Sequence, residues 1–337
     1  MRITALELAR RLREQQEAQQ KWAEEHFETM DDGHFMAVSI NEKECVLAPY
    51  PEFSAFIYRG QPQYYESCMS SLFRSSPNQL DRFIAEMKVA EFQLLLSDHP
   101  AIVDFSHWSV MGLTFRIDYE ALAQHYGLNT SLMDFTSNPH VAAFFACCEY
   151  DNSLHQYRPI LRSTQEGIIY SYLAAAEIGD PTGPEEFPSS IIGLQPLRRP
   201  AEQYAWCYRL AKRTSLNSRR YVTPSRFVHD PMVSKKVFEE FEGGAKLFPY
   251  DPISEKARQI FATKELSKGA FDMVLSRYSG RMKERSTLNA LNRKGFTVVD
   301  AARVVLTKVE RVQIEKEWIE RRSDLASRIH YRRACYP

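Results

Sequence analysis

The sequence predicts an α+β fold, with a mixed helix-and-strand middle followed by a mostly helical C-terminal region. The first reason is an alternation of texture. Short runs rich in aromatic and β-branched residues, Phe53 to Arg59, Leu132 to Thr136 and Gly167 to Leu173, flank the stretches Leu80 to Leu96 and Tyr119 to Tyr126, where apolar residues recur at helical spacing. The second is composition. Of 337 residues, 44% are apolar and 12% aromatic, which excludes wholesale disorder, and no stretch approaches the roughly 18 uninterrupted apolar residues of a membrane span. A soluble globular protein is expected. The third is the change after Ser254, where helical signals prevail and end in a long segment of mixed charge, Asp300 to Arg333.

Taken in order, Thr4 and Glu7 have capping-box spacing, and the polar run after them predicts a solvated helix to about Met30, stopped by Asp31, Asp32 and Gly33. Its few apolar residues, Leu8, Leu12, Trp22 and Phe27, are expected to dock on the main body, the alternative being a partner chain. Asp118 caps a helix in which Tyr119, Leu122, Ala123 and Tyr126 share a face, and Gly127 stands where a glycine ends it. In the strand that follows, Leu132, Asp134 and Thr136 point to one side. Ser137, Asn138 and Pro139 start a buried helix through VAAFFACCEY. Further strands are predicted at Gly167 to Leu173, Ile191 to Gln195 and Gln203 to Tyr208, with a Pro/Gly-rich loop over 179–190. The divisions are a lead-in over 1–50, a central domain over 51–211 and a basic, then mostly helical, region over 212–337.

Lys plus Arg and Asp plus Glu both number 43, so no global field draws the chain to nucleic acid or membrane, and only a local patch can. The candidate patch has six basic residues and no acidic one between Arg209 and Arg226, with Tyr208, Tyr221 and Phe227 close by. Arg213, Arg219 and Arg220 suit an RNA or DNA strand there through phosphate contacts and base stacking; the alternative is a solvated loop offsetting Glu239 to Glu242. The six cysteines form no CxxC pair and read as reduced structural thiols. Charges in MRITALELARRLREQQ stand where a secretory signal needs apolar residues, so a cytoplasmic location is expected. With no HExxH, Cys/His cluster or acidic calcium loop, no metal site is expected. The lack of GxGxxG and of a P-loop removes the Rossmann and P-loop routes to nucleotides.

Three stretches carry a resemblance. FIYRGQPQYYESCMSSLFR (56–74) has an aromatic, Arg-Gly-Gln and then Leu-Phe-Arg; ALAQHYGLNTSLMDFTSNPHVAAFFA (121–146) has His-Tyr-Gly-Leu, Leu-x-Asp-aromatic-Thr, a proline and an Ala/Phe-rich helix. LRRPAEQYAW (197–206) has an Arg followed shortly by Gln. Over roughly residues 51–211 the chain resembles the FRG (Phe-Arg-Gly) domain family. The order of these parts also resembles ADP-ribosyltransferases of the Arg-Ser/Thr-Glu type, which implies split small sheets with flanking helices and NAD as co-substrate in a cleft between two small sheets. On that resemblance Arg59, with Gly60 and Gln61 beside it, holds the NAD phosphates or the ribose next to them. Thr136 and Ser137 shape the nicotinamide-ribose site, His125 and Tyr126 lie beside it, and Gln203 or Glu202 stands where the transferases have their glutamate.

The chemistry explains the parts. Loss of nicotinamide leaves an oxocarbenium-like ribose, which a carboxylate stabilises while a clamp on the pyrophosphate fixes the leaving geometry. Gln203 offers a hydrogen bond without charge; Glu202 has the charge but, as a strand neighbour, faces the other way. Asp134 is another source of a carboxylate, or else pairs with Arg59 or caps a loop. His125 lies in the last turn of its helix, where an imidazolium complements the dipole, and Tyr126 occupies an apolar helical position. The leading expectation is an NAD-dependent ADP-ribosyltransferase of toxin or antiviral type, modifying nucleic acid or protein and controlled by an antitoxin or other regulatory partner. The alternatives are a non-catalytic nucleotide- or nucleic-acid-binding module and a hydrolase using His125 and Asp134.

Overall fold

The structure, a computed structural model, describes residues 3–26, 35–49, 55–151, 153–177, 189–210, 212, 214–278, 280–329 and 331–332. Helix α1 (Ala5–His26) is followed by β1 (Phe35–Ser39), β2 (Glu44–Pro49) and β3 (Phe56–Gln61). Helices α2 (Gln79–Ser97) and α3 (Pro100–Phe105) precede β4 (Ser109–Val110) and β5 (Leu113–Phe115); α4 (Tyr119–His125) precedes β6 (Leu132–Thr136) and α5 (Pro139–Cys147). The hairpin β7 (Cys148–Asp151) and β8 (Gln156–Pro159), then β9 (Glu166–Leu173), β10 (Ser189–Ile191), α6 (Arg198–Glu202), β11 (Ala205–Arg209) and β12 (Val222–Val228) complete the middle. Beyond lie α7 (Pro231–Glu240), α8 (Pro252–Ala262), β13 (Glu265–Ser267), α9 (Lys268–Arg277), α10 (Glu284–Arg293), β14 (Thr297–Val299), α11 (Lys308–Arg328) and β15 (Tyr331–Arg332). The fold is α+β.

Six strands form one antiparallel sheet in the order β10-β11-β6-β3-β9-β12. Its ladders are uneven. β3 pairs with β9 over the whole of Phe56–Gln61, and β6 pairs with β11 over the whole of Leu132–Thr136, but β3 and β6 meet at one register position, Tyr58 opposite Thr136. The sheet therefore parts near its middle. Helix α5 lies across the parting, with backbone close to backbone: a Cβ on Gly60 would stand 1.8 Å from the carbonyl oxygen of Ala142. Gly60 is there for that approach. Asn138 caps α5 through its side-chain oxygen, and Pro139 takes the first turn, where its missing N–H costs nothing.

On the other side of α5, α1 docks through Ala5, Leu8 and Ala9 against Val141, Ala142 and Phe144. The Tyr58 hydroxyl reaches the Leu12 carbonyl at 3.4 Å and Gln16 at 3.3 Å. Trp22 is exposed and stacks on His26. Phe27 and the expected stop at Asp31, Asp32 and Gly33 lie outside the described residues, as does most of the loop over 179–190.

A second sheet, β15-β1-β2-β5-β4, brings the far end of the chain back to Phe35 and Met36. Helix α2 is covered on two faces. Phe92 and Leu95 pack with Leu122 of α4 and Ile253 and Ile260 of α8, and Phe83 and Met87 pack with Phe271, Val274 and Leu291 of α9 and α10. The C-terminal region is mostly helical, and the sixth strand of the main sheet, β12, comes from beyond residue 211. Among the described residues no helix is long and apolar enough to cross a membrane, and Cys45, Cys68, Cys147, Cys148 and Cys207 are unpaired and buried.

Two expected strands are corrected. The first, expected over Ile191 to Gln195, ends at Ile191, because the N–H groups of Ile192 and Gly193 both turn onto the carbonyl of Ala205. The second, expected from Gln203, begins at Ala205: Arg198–Glu202 is a short helix, Gln203 is its C-cap, and Tyr204 takes a left-handed φ of 49° at the exit. Strand alternation therefore does not govern Glu202 and Gln203.

Candidate functional site

A cavity of about 950 Å³ opens where β3 and β6 part. It is lined by Arg59, Gly60 and Gln61 from β3, by His125, Asp134 and Thr136, and by Arg199 and Gln203 from the α6 turn. Tyr65, Phe145, Tyr150, Tyr157 and Phe248 supply aromatic wall, and Arg74 and Glu149 further charge. The cleft is thus built on one sheet. The space between the two sheets is a different cavity, of about 1040 Å³, lined from β1, β2 and β10 and by charges of both signs, and it holds none of the expected site residues. Tyr126, Ser137 and Glu202 do not line the cleft either. Tyr126 is buried with its hydroxyl donating to the Asp251 carboxylate, the Ser137 N–H is spent on the Tyr204 carbonyl, and Glu202 lies 3.6 Å from Arg198 on the α6 surface.

Arg59 does not pair with the carboxylate of Asp134. Its Nη1 donates to the backbone carbonyl of Asp134 at 2.7 Å, satisfying a β6 acceptor beside the point where the strands part. Its Nε is buried with no partner. The Asp134 side chain is oriented by Gln124, whose Nε2 donates to Oδ2 at 3.1 Å and whose Oε1 accepts from Thr130 at 2.6 Å.

Gln203 fixes the state of His125. The Gln203 Nε2 donates to the Leu247 carbonyl at 2.9 Å, so its Oε1 must accept from His125 Nδ1, 3.3 Å away. The proton of a neutral ring then sits on Nδ1, and Nε2 is a bare acceptor, 3.6 Å from Asp134 Oδ1. Both of these atoms are buried and unpartnered. Burial pushes the His125 pKa below its ordinary value, and the Asp134 carboxylate opposes this to a lesser extent. The expected imidazolium at the end of α4 is therefore corrected to a neutral imidazole. Gly127, with φ 88°, ends that helix in the expected way.

Thr136 is committed to the backbone. Its hydroxyl donates to the Gln203 carbonyl at 2.7 Å and accepts from the Asn138 N–H at 3.1 Å, tying β6, the α5 cap and the α6 turn together. Cys207, opposite Asp134 in the sheet, brings a third donor within 4.8 Å of His125 and Asp134. Burial, then the Asp134 carboxylate, raise its thiol pKa well above the usual range, so it stands there protonated.

Residues 54–154 match the family model described as FRG domain. This chain carries an FRG domain. No curated protein and no solved structure matches the chain. The FRG stretch contributes Arg59, His125, Asp134 and Thr136 to the cleft, whereas Arg199, Gln203 and Phe248 reach it from outside that stretch. Of the basic residues singled out, Arg219 and Arg220 lie over Tyr208 and Tyr221 at 5.9 and 5.3 Å, away from the FRG cleft, and Arg213 is outside the described residues. Arg199, Gln124 and Phe248 were not among the expected site residues. Arg199 stood in the third quoted stretch and Gln124 directly before His125, but neither position announces a cavity.

Proposed function

We propose that the cleft is an NAD site and that the protein is an ADP-ribosyltransferase. The observation that carries this reading is convergence: Arg59, Thr136 and Gln203, far apart in the sequence, line one cavity together with two further guanidinium groups and seven phenylalanine and tyrosine rings. At about 950 Å³ the cavity falls in the size range of cofactor sites. NAD, with its pyrophosphate and two flat ring systems, matches guanidinium and aromatic walls. Arg59, held at one Nη and free at Nε, is the phosphate ligand.

Asp134 is the carboxylate of the reaction, because both ends of the Gln203 amide are already engaged. It stabilises the oxocarbenium-like ribose as nicotinamide leaves. Thr136 acts through the backbone, holding Gln203 in place, and the bare Nε2 of His125 beside Asp134 Oδ1 is where a ribose hydroxyl finds an acceptor. The acceptor of ADP-ribose is nucleic acid or protein, and a toxin or antiviral role suits either.

Saturation-transfer NMR with NAD tests the reading. The wild-type protein should show transfer to the adenine and nicotinamide protons; Arg59→Lys, which loses the planar fork, should show little. Asp134→Asn should bind NAD and fail to release nicotinamide. Absence of transfer in the folded wild type would sink the reading. The facing acceptors His125 Nε2 and Asp134 Oδ1 favour a second reading, a hydrolase in which His125 takes the proton of water; that enzyme would turn over without NAD.

A further inference from the structure

Among the described residues Arg199 is a guanidinium without a direct ion pair, although it lies near enough to Asp251 to favour that carboxylate. Its Cζ lies over two rings, 4.6 Å from the centre of Phe248 and 5.3 Å from that of Tyr126, and the ring faces hold the cation in place without taking an N–H donor. Among the described residues no carboxylate pairs with it and no acceptor takes its donors, and its Nε is buried and unpartnered. Its neighbour Arg198, by contrast, has Glu202 one turn on at 3.6 Å. The nearby acids are taken: Asp251 accepts from the Tyr126 hydroxyl and, at 2.9 Å, from the Ile253 N–H, while Asp134 is held by Gln124. A buried N–H with no acceptor is costly, and the cost is relieved when an acceptor arrives.

Arg199 is also placed one helical turn before Gln203, whose N–H bonds the Arg199 carbonyl at 3.3 Å. Arg59 works at the Asp134 carbonyl, whereas Arg199 works at the Gln203 and His125 end of the same cavity. We propose that Arg199 is a second anion-binding group of the cleft, taking a phosphate group on the Gln203 side in bidentate fashion. This deepens the nucleotide reading above and rests on it for the identity of the phosphate. That phosphate belongs either to NAD itself or to a phosphodiester acceptor, and the two sources are separable.

The experiment measures binding of inorganic pyrophosphate, NAD and a short single-stranded oligonucleotide by calorimetry to wild type, Arg199→Gln and Arg199→Lys, with thermal melts as the control for folding. Pyrophosphate should bind wild type and lose about tenfold or more in Arg199→Gln, the order expected for a lost charge-assisted fork, with only partial recovery in Arg199→Lys. If the phosphate is the cofactor's, NAD weakens in parallel and the oligonucleotide does not; if it is the acceptor's, the reverse holds. Pyrophosphate binding that is absent in wild type, or equal in all three folded proteins, overturns the proposal even where NAD binds. Pyrophosphate binding that depends on Arg199 in a protein blind to NAD upholds it and removes the NAD reading instead. Should Arg199→Gln not fold, Arg199→Lys decides, and affinity equal to wild type overturns the proposal.

Discussion

Gln203 shows how much of the cleft depends on one amide. It donates to Leu247, accepts from His125, and its backbone carbonyl receives the Thr136 hydroxyl. Gln203→Glu replaces the donor by an oxygen facing the Leu247 carbonyl and buries a charge. It should cost about 1–3 kcal/mol in denaturant unfolding, and part of the loss should return at acidic pH as the new carboxyl protonates. Glu202→Gln, on the α6 surface, should change stability little. Stability equal to wild type in Gln203→Glu would mean that the amide network is not formed. At this scale the sequence showed which residue types gather, since Arg59, His125, Asp134, Thr136 and Gln203 all reach the cleft. It could not show their bonding partners. The Thr136 hydroxyl, expected in a ribose site, is consumed by the backbone, and Arg59 meets a carbonyl where an ion pair with a carboxylate was the alternative.

Elements were legible where a local rule fixed them and misread where a contact did. The helix and turn from Asp118 to Gly127, the strand at 132–136 and the Pro139 helix follow from caps, period and proline placement, and all three stand in the structure. The start of β11 does not, because Arg198–Glu202 coils into a short helix that exits through a left-handed Tyr204, and the Ala205 carbonyl is taken by the N–H groups of Ile192 and Gly193. Gly60 is a similar case: it looks like a turn glycine, yet its role is to admit α5. Gly60→Ala must push α5 off β3, which should cost about 1–3 kcal/mol or more, read as a lowered denaturation midpoint at unchanged slope. A melting temperature equal to wild type would show that α5 lies further from β3 than described.

The junction of α2 and α3 carries a pH dependence. His99 is buried, its Nδ1 has no partner, and burial lowers its pKa from 6.5 to about 4. Between those values the unfolded chain binds a proton that the native chain refuses. Native stability should therefore be full above pH 6.5 and fall as the pH drops through that window, by on the order of 3 kcal/mol. Urea unfolding across the window should show a shallower fall in His99→Gln; parallel curves would remove His99 as the source.

At the scale of the whole molecule, the C-terminal helix is a clamp. Asp104 of α3 accepts from the indoles of Trp108 and Trp318 at 3.1 Å each and lies 3.0 Å from Arg322. Ile314, Trp318 and Leu325 are the buried residues of α11. The sequence displays this segment as a run of mixed charge, and its three buried residues are too sparse to reveal their anchors: Trp318 is held by one carboxylate some two hundred residues earlier, and Ile314 joins the core around Phe92 and Ile253. Trp318→Ala should cost about 3–5 kcal/mol, and it should loosen the second sheet as well, because β15 follows α11 and pairs with β1. Protease cleavage confined to α11, with Phe35–Ser39 still protected, would show that clamp and sheet are independent.

The parting between β3 and β6 also bears on how the molecule opens. An ordinary sheet frays from its edges, and its central amides are the last to exchange with solvent. Here the weak line runs through the interior, with a full ladder on either side of it. The sheet should come apart as two three-stranded blocks, β10-β11-β6 and β3-β9-β12, hinged on α5 and latched by the Arg59 side chain. The same line borders the cavity, and the Arg59 side chain that bridges it lines the cavity too, so a ligand taken up at the free Nε of Arg59 leaves the latch to the Asp134 carbonyl closed and should slow exchange along that line.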